Sequence, residues 1–345
     1  MTFVNGAVPG ARFQLCESRA FATYRHQPRN AGREDRAIND DKLCSVHDAV
    51  AEFVRDGSSV VLGAALENAI PYAATHELIR QGRRGLNMIA PISDISTDML
   101  IGAGCVAEVT GAWVGNVSGG MGHNYRRAME KGEPNPVTLY DYSNFTIGMA
   151  FFAGAYGLPY VPVKSILGSD IVRSNPRIRM AENPFSETPE PVALVPALKP
   201  DVAFLVVQRA DRFGNSHIWG STGLTQEASI AADRIVVLAD EIVEPEVIAS
   251  DPSRVLIPGF GVNAVCHVPA ANHPSPLIGR WQRDHAFFHH YHQETRDPDG
   301  FRRWLQEWVL DLPDHAAYRA KLGGQLEELR VLGNAPSAPA NYAAE

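Results

Sequence analysis

The chain has 345 residues, 45% of them apolar, and a formal net charge of −8. That much apolar material can build a sizeable core, which excludes disorder as the main state. The acidic balance excludes nucleic acid or an anionic membrane as the main partner, because both need a basic face.

Residues 1–44 read as a polar N-terminal extension, since 25–36 shows neither a helical nor a strand period. A helix is predicted over 46–55, then a buried strand over 59–65 and a helix over 71–81 that opens on Pro71 and stops at Gly82. The pattern continues as a strand over 86–90, a helix over 95–102, a strand over 105–112 and a helix over 125–130. A strand beginning at 138–140, an Ala/Gly-rich helix over 146–156 and a strand over 158–163 come next. Residues 168–192 form a polar, proline-bearing excursion, a length of loop that is often functional. A strand over 202–207, a helix near 226–232 and a strand over 235–239 resume the alternation. The end is helical, over 284–294, 301–310 and 314–322, and residues 324–345 read as a frayed tail.

Apolar strands alternating with helices imply an α/β fold: an open, mainly parallel sheet with helices on both faces and a helical C-terminal part. Ligands bind such sheets at the carboxyl ends of the strands. That rule points to residues 63–68, 91–94, 111–122 and 141–144. Three carboxylates fall there, Glu67, Asp94 and Asp141, and each is either chemical or merely solvated. Gly115-Asn116-Val117-Ser118-Gly119-Gly120-Met121-Gly122 follows a predicted strand and precedes a helix. Its backbone N–H groups and the helix terminus suit an anion or carbonyl, and a plain tight turn fits as well. Gly63, Ser118, Gly119 and Gly120 are therefore the candidate substrate contacts.

Other motifs carry less. Gly259-Phe260-Gly261-Val262-Asn263-Ala264 matches a dinucleotide-binding spacing, but extended chain rather than a helix follows it, so it reads as a turn. His285, His289 and His292 share one helical face, yet no HExxH accompanies them, and an aromatic edge helix fits better than a metal site. Cys16, Cys44, Cys105 and Cys266 form no CxxC, which fits a reducing cytoplasm better than a disulfide framework. No stretch has membrane-span length, and Asn5, Arg12, Glu17 and Arg19 interrupt any signal-like apolar region. No self-sufficient nucleophile appears, since there is no GxSxG elbow and no cysteine in a recognisable setting.

Val61-Leu62-Gly63-Ala64, Pro71-Tyr72-Ala73 and Asp98-Met99-Leu100-Ile101-Gly102 resemble the alpha subunits of glutaconate CoA-transferases, members of family I. So do Gly157-Leu158-Pro159, Glu182-Asn183-Pro184-Phe185, Ile218-Trp219-Gly220, Ile257-Pro258-Gly259 and His273-Pro274-Ser275, in the same order. Agreement runs from about residue 46 to 323, and residues 45–323 are taken as one A-type domain.

The resemblance implies a CoA-transferase/NagB-like fold and a half-enzyme. In the family a glutamate on the B-type (beta) chain attacks the acyl-CoA thioester, and a glutamyl-CoA thioester forms by way of an acyl-glutamyl anhydride. An A2B2-like assembly, an acyl-CoA and a carboxylic acid as substrates, and no permanently bound cofactor or metal follow from the same likeness. The amide that an A-type chain contributes, usually Gln, falls here at Asn144, with Ser143 beside it. Asn144 would support the oxyanion; alternatively it caps the helix after it. The corresponding chain of a related ring-opening acyl-CoA hydrolase of steroid catabolism has a Glu there, which can act as a base where Asn cannot. Hydrolysis on the same fold is the alternative activity, and a non-catalytic CoA-thioester-binding partner is a third.

Overall fold

The computed structural model of the chain describes residues 40–331. The elements, in order, are α1 (Val46–Phe53), β1 (Ser59–Val61), α2 (Tyr72–Arg80), β2 (Leu86–Ile92), α3 (Ile95–Gly102), β3 (Val106–Trp113), β4 (Gly115–Asn116), β5 (Gly120–Met121), α4 (His123–Lys131), β6 (Thr138–Asp141) and α5 (Asn144–Tyr156). They continue as β7 (Tyr160–Val163), α6 (Ile171–Ser174), β8 (Arg179–Glu182), β9 (Pro191–Pro196), β10 (Val202–Val207), β11 (Arg209–Ala210), β12 (Ser216–His217), α7 (Thr225–Ala231), β13 (Arg234–Ala239), α8 (Pro245–Ala249), β14 (Val255–Ile257) and β15 (Ala264–His267). Helices α9 (His285–Glu294), α10 (Pro298–Leu305), α11 (His315–Leu322) and α12 (Gly324–Glu328) close the chain.

Seven strands form one parallel sheet in the order β15-β13-β10-β1-β2-β3-β6. Its central strands are mostly apolar rather than alternating, because both faces are covered. All of β10 is buried, for example. Successive side chains still point to opposite faces. Val60, Met88, Phe204 and Val236 pack with α1, α2, α3 and the C-terminal helices. Val61, Ile89, Leu205 and Val237 pack with α5, α7 and a small antiparallel sheet. That sheet has the order β7-β9-β8.

Most elements begin and end within a residue or two of their expected positions; the strand expected over 59–65 stops at Val61, and the other exceptions are instructive. The strand expected over 158–163 leaves the parallel sheet and pairs antiparallel with β9 as β7. The excursion over 168–192 is not a bare loop, since it supplies α6, β8 and the start of β9. Its polarity is explained by Arg177, which lies 3.3 Å over the Tyr140 ring and pairs with Glu108 at 2.9 Å, fastening the excursion to β3 and β6. The expected helix over 301–310 is α10 followed by a π-turn, Gln306–Leu310. Residues 259–261 form a 3-10 turn leading into β15, as the turn reading expects.

Both ends of the described chain are tied in. Leu43 bridges to Val265 of β15, and the buried Lys42 Nζ donates to the Gly259 carbonyl at 2.7 Å. This added pairing covers the edge of the sheet. Residues 324–331, expected as part of the tail, carry α12, bury Leu326 and bridge Arg330 to Trp281. The rest of the extension and of the tail lies outside the described residues.

Candidate active site

Strand order reverses between β1 and β10, where open α/β sheets usually have a crevice at the carboxyl edge. Here residues 219–224 cover it. Leu224 N donates to Ala64 O at 2.7 Å, Asn68 Nδ2 to Ser221 O at 3.1 Å, and Gln208 Nε2 to Trp219 O at 2.9 Å. Gly63 belongs to this packing. Its φ is +83°, and a Cβ there would fall 2.7 Å from the Ile92 carbonyl oxygen. The ends of β2, β3 and β6 make up the rest of this edge.

Beyond β3 the glycine-rich stretch folds into the hairpin β4–β5, with Gly115 opposite Met121 and Asn116 opposite Gly120. Ser118 Oγ accepts from Arg283 Nε and Nη2, each at 3.2 Å, and lies 3.3 Å from His285 Nδ1. Gly119 packs on the His292 ring, while Gly120 is exposed with φ +107°. The helix terminus that this stretch was expected to offer an anion already has one. Asp98 Oδ1 accepts from Tyr125 N at 2.8 Å, and Oδ2 from Asn124 Nδ2 at 3.0 Å and from Tyr291 OH at 2.6 Å. Asp98 is fully buried, so an internal carboxylate meets the orphan donors and positive end of α4. Burial, with the charge of Asp98 second, pushes the Tyr291 hydroxyl well above its ordinary pKa, so it stays a donor.

Asp94, at the end of β2, is also buried and has φ 48° and ψ −137°, a strained backbone for any residue but glycine. Its Oδ2 pairs with Arg283 Nη2 at 2.7 Å and its Oδ1 accepts from Val117 N at 3.0 Å. Arg283 in turn lies 3.8 Å over the Phe288 ring. Burial pushes the Asp94 carboxyl above its ordinary pKa, and the Arg283 guanidinium opposes that only in part. Asp94 and Arg283 thus clamp the hairpin to the sheet edge. Glu67 is exposed on the loop after β1. Asp141, at the end of β6, is partly exposed, and burial of its carboxyl raises its pKa against an opposing backbone amide.

Helix α5 begins at Asn144, a fraction of a turn earlier than expected, and its cap is Ser143 rather than Asn144. Ser143 Oγ accepts from Thr146 N at 3.1 Å, and Thr146 Oγ1 accepts from Ser143 N at 2.9 Å. This reciprocal box removes the capping role from Asn144, whose side chain is exposed at the carboxyl edge of the sheet. Asn144 and Gly63 follow strands β6 and β1, three positions apart, or about 14 Å at ordinary strand spacing. The candidates therefore share one edge without meeting at one point.

Arg283 and Asp98 are the residues that sequence reasoning missed. Asp98 lies inside a family-like motif that gives it no role of its own; Arg283 has no local signal, since its partners come from distant segments. The histidine face of α9 divides among different neighbours: His285 meets Ser118, and the His292 ring lies tilted against that of His123 with ring centres 4.3 Å apart. Among the described residues no group of three or more His, Cys, Asp or Glu is placed to hold a metal ion.

A family model described as coenzyme A transferase matches residues 44–267. The A-type chain of the 3-oxoadipate CoA-transferase of Pseudomonas knackmussii is 37% identical over 281 residues, covering 81% of this chain and 98% of that protein. The A-type chain of the glutaconate CoA-transferase of Acidaminococcus fermentans is 33% identical over 307 residues, covering 84% of this chain and 95% of the relative. The crystal structure of glutaconate coenzyme A-transferase from that organism matches with a TM-score of 0.80 at 32% identity, over 84% of this chain and 96% of that one. The matched residues take in all seven strands of the parallel sheet, and the chain belongs to the coenzyme A transferase family.

Proposed function

We propose that this chain is the A-type half of a two-chain CoA-transferase, moving CoA from an acyl-CoA to a carboxylic acid through a glutamyl-CoA thioester on a B-type partner. One observation carries the reading. The amide of Asn144 is exposed at the carboxyl edge, while the buried acids of that edge, Asp94 and Asp98, are already engaged. An edge with an available amide and its buried carboxylates committed suits a nucleophile that arrives from elsewhere.

In the proposed reaction the partner's carboxylate adds to the thioester carbonyl, and the CoA thiolate leaves an acyl-glutamyl anhydride. The thiolate then adds to the glutamyl carbonyl, the donor acid departs, and the acceptor acid runs the sequence in reverse. Each addition places negative charge on a carbonyl oxygen. Asn144 Nδ2 donates to that oxygen, a contribution of about 3 kcal/mol, or roughly 100-fold in rate. Ser143 acts through its cap, which fixes the start of α5 and with it the Asn144 backbone. Ser118, Gly119 and Gly120 border the acyl-CoA from the hairpin, and Gly63 shapes the floor of the same edge. The coenzyme A thioester is substrate, and no resident cofactor or metal enters the scheme.

The partner is a B-type chain in an A2B2-like assembly, and the A-type domain of 45–323 takes in the packed residues 42–44 and 324–331 as well. No helix among the described residues is long and apolar enough to cross a membrane; a cytoplasmic setting is part of the proposal and is favoured by the unbridged thiols of Cys105 and Cys266.

Co-expression with a B-type chain from the same organism should yield exchange of CoA between an acyl-CoA and a carboxylate, and Asn144→Ala should lower it roughly 100-fold. Exchange by the isolated chain would overturn the half-enzyme reading. Release of free CoASH without an acceptor acid would make the complex a hydrolase instead, and binding of CoA thioesters without turnover would make this chain a non-catalytic partner.

A further inference from the structure

Helix α5 has no charged residue among its 13, yet it is not buried all round. Phe145, Phe152 and Tyr156 are 53%, 37% and 58% exposed, and Met149 is half-buried between them. Positions 145, 149, 152 and 156 step by four, three and four, so they fall on one face of the helix. The Phe152 and Tyr156 rings touch each other, with centres 4.6 Å apart. Leu158 and Tyr160, 40% and 48% exposed, continue the apolar run into β7. The opposite face explains why the stripe is not a packing error. Gly154 there admits the Leu198 carbonyl oxygen, 1.8 Å from where a Cβ would stand, so the helix is seated closely on the chain beneath it.

A contiguous aromatic stripe without charge marks a contact surface. Its position selects the occupant. The stripe starts at Phe145, next to Asn144, the amide that in the proposed reaction must meet a carboxylate on another chain. Any polypeptide delivering a carboxylate to Asn144 has to approach the start of α5. We propose that this face of α5, continuing through Leu158 to Tyr160, is the docking surface for the nucleophile-bearing B-type chain. The inference rests on the two-chain reading and adds where the partner sits.

The size of the stripe fits the centre of such a surface. Thirteen helical residues span about 20 Å and one apolar face is about 10 Å wide, giving roughly 200 Å² against about 800 Å² for a stable interface on one partner. The remainder is a rim, for which the exposed Val117 and Met121 of the hairpin are candidates on the adjoining strand end. Aromatic anchors at the centre of an interface carry a disproportionate share of affinity.

The test uses the full chain and a B-type chain from the same organism, with affinity measured by calorimetry and assembly by sedimentation. Phe152→Glu and Tyr156→Glu should each weaken assembly by about 30-fold or more, with the unfolding midpoint of the isolated chain unchanged. Ile230→Glu, an exposed apolar position on α7, should leave assembly at the wild-type value. Wild-type affinity in either α5 variant overturns the proposal, and so does failure of the unaltered chains to associate. Association without CoA exchange would sink the transferase reading and leave the docking surface standing. Self-association of the isolated chain that Phe152→Glu abolishes would assign the stripe to a second copy and overturn the proposal. A thiol reagent blocked from Phe152→Cys until residues 1–39 are deleted would assign it to that segment, with the same consequence.

Discussion

The two flanks of the carboxyl edge differ in how complete they are. On the flank built from β2, β3 and α9, the acids meet partners inside the chain, Asp94 with Arg283 and Asp98 with Tyr125, Asn124 and Tyr291, although Arg283 Nη1 is buried without a partner. On the flank built from β6 and α5, the hydrogen-bonding capacity of Ser143 is used locally, and beyond it an exposed amide heads an uncharged aromatic stripe. The first flank is finished as a folded object. The second has the composition of an interior and the exposure of a surface. One fold can therefore separate the task of holding shape from the task of meeting another molecule.

If the first flank is structural, removing its charges must unfold rather than merely slow the protein. Asp98→Ala leaves a backbone amide, a carboxamide and a buried phenol without their acceptor. It should cost about 4 kcal/mol in urea unfolding, and a loss under about 1 kcal/mol would break the contrast between the flanks.

Arg283→Ala should cost about 3 kcal/mol, because Asp94 is left as a buried charge with no counter-ion. The double variant Arg283→Ala with Asp94→Asn should recover part of that loss. Equal destabilisation in the single and double variants would show that packing of Arg283 on Phe288, rather than charge, is what matters.

The finished flank continues into a buried histidine cluster behind α9. His273 Nδ1 lies 2.7 Å from Tyr318 OH and its Nε2 lies 3.1 Å from Asp284 Oδ2, while the rings of His76 and His315 lie 5.0 and 5.6 Å from that of Tyr318. Burial depresses all three histidines, His315 to about 3, and nearby Arg80 lowers His76 further; Asp284 only partly offsets the effect at His273. Neutral in the fold, they take up protons on unfolding below about pH 6.5. Stability should thus be complete above that pH and fall as the pH drops from about 6.5 toward 3, by at most about 1.4 kcal/mol per pH unit for each histidine. His315→Gln should flatten the slope of unfolding free energy against pH. An unchanged slope would place the acid sensitivity elsewhere.

The smallest effect belongs to the open flank. Ser143→Ala removes the α5 cap and should cost about 1 kcal/mol, with Ser143→Asp recovering most of it. If Asn144 depends on that cap for its position, Ser143→Ala should also lower exchange in the complex while Ser143→Asp restores it. Loss of stability without loss of exchange would detach the cap from the chemistry.

The sequence by itself determined the class of fold, most element positions and the family, because these follow from local periodicity and ordered motifs. Strand β10 reads as buried on both faces because it is apolar throughout, and α3 reads as a helix from Ile95 to Gly102 without reference to its neighbours. The edge on which Gly63, Ser118 and Asn144 lie was also legible, since parallel sheets gather their strand ends. What only the tertiary structure decided is which of these residues are already spoken for. Asp98 meets the start of α4 through Tyr125, 27 positions downstream, Arg283 reaches Asp94 across 189 residues, and residues 219–224 cover the switch point. Such pairings depend on three-dimensional proximity between distant segments, which no local pattern encodes. The same reason hides the stripe on α5: the Ala/Gly-rich pattern over 146–156 marks a helix, and only packing shows that one of its faces stays open.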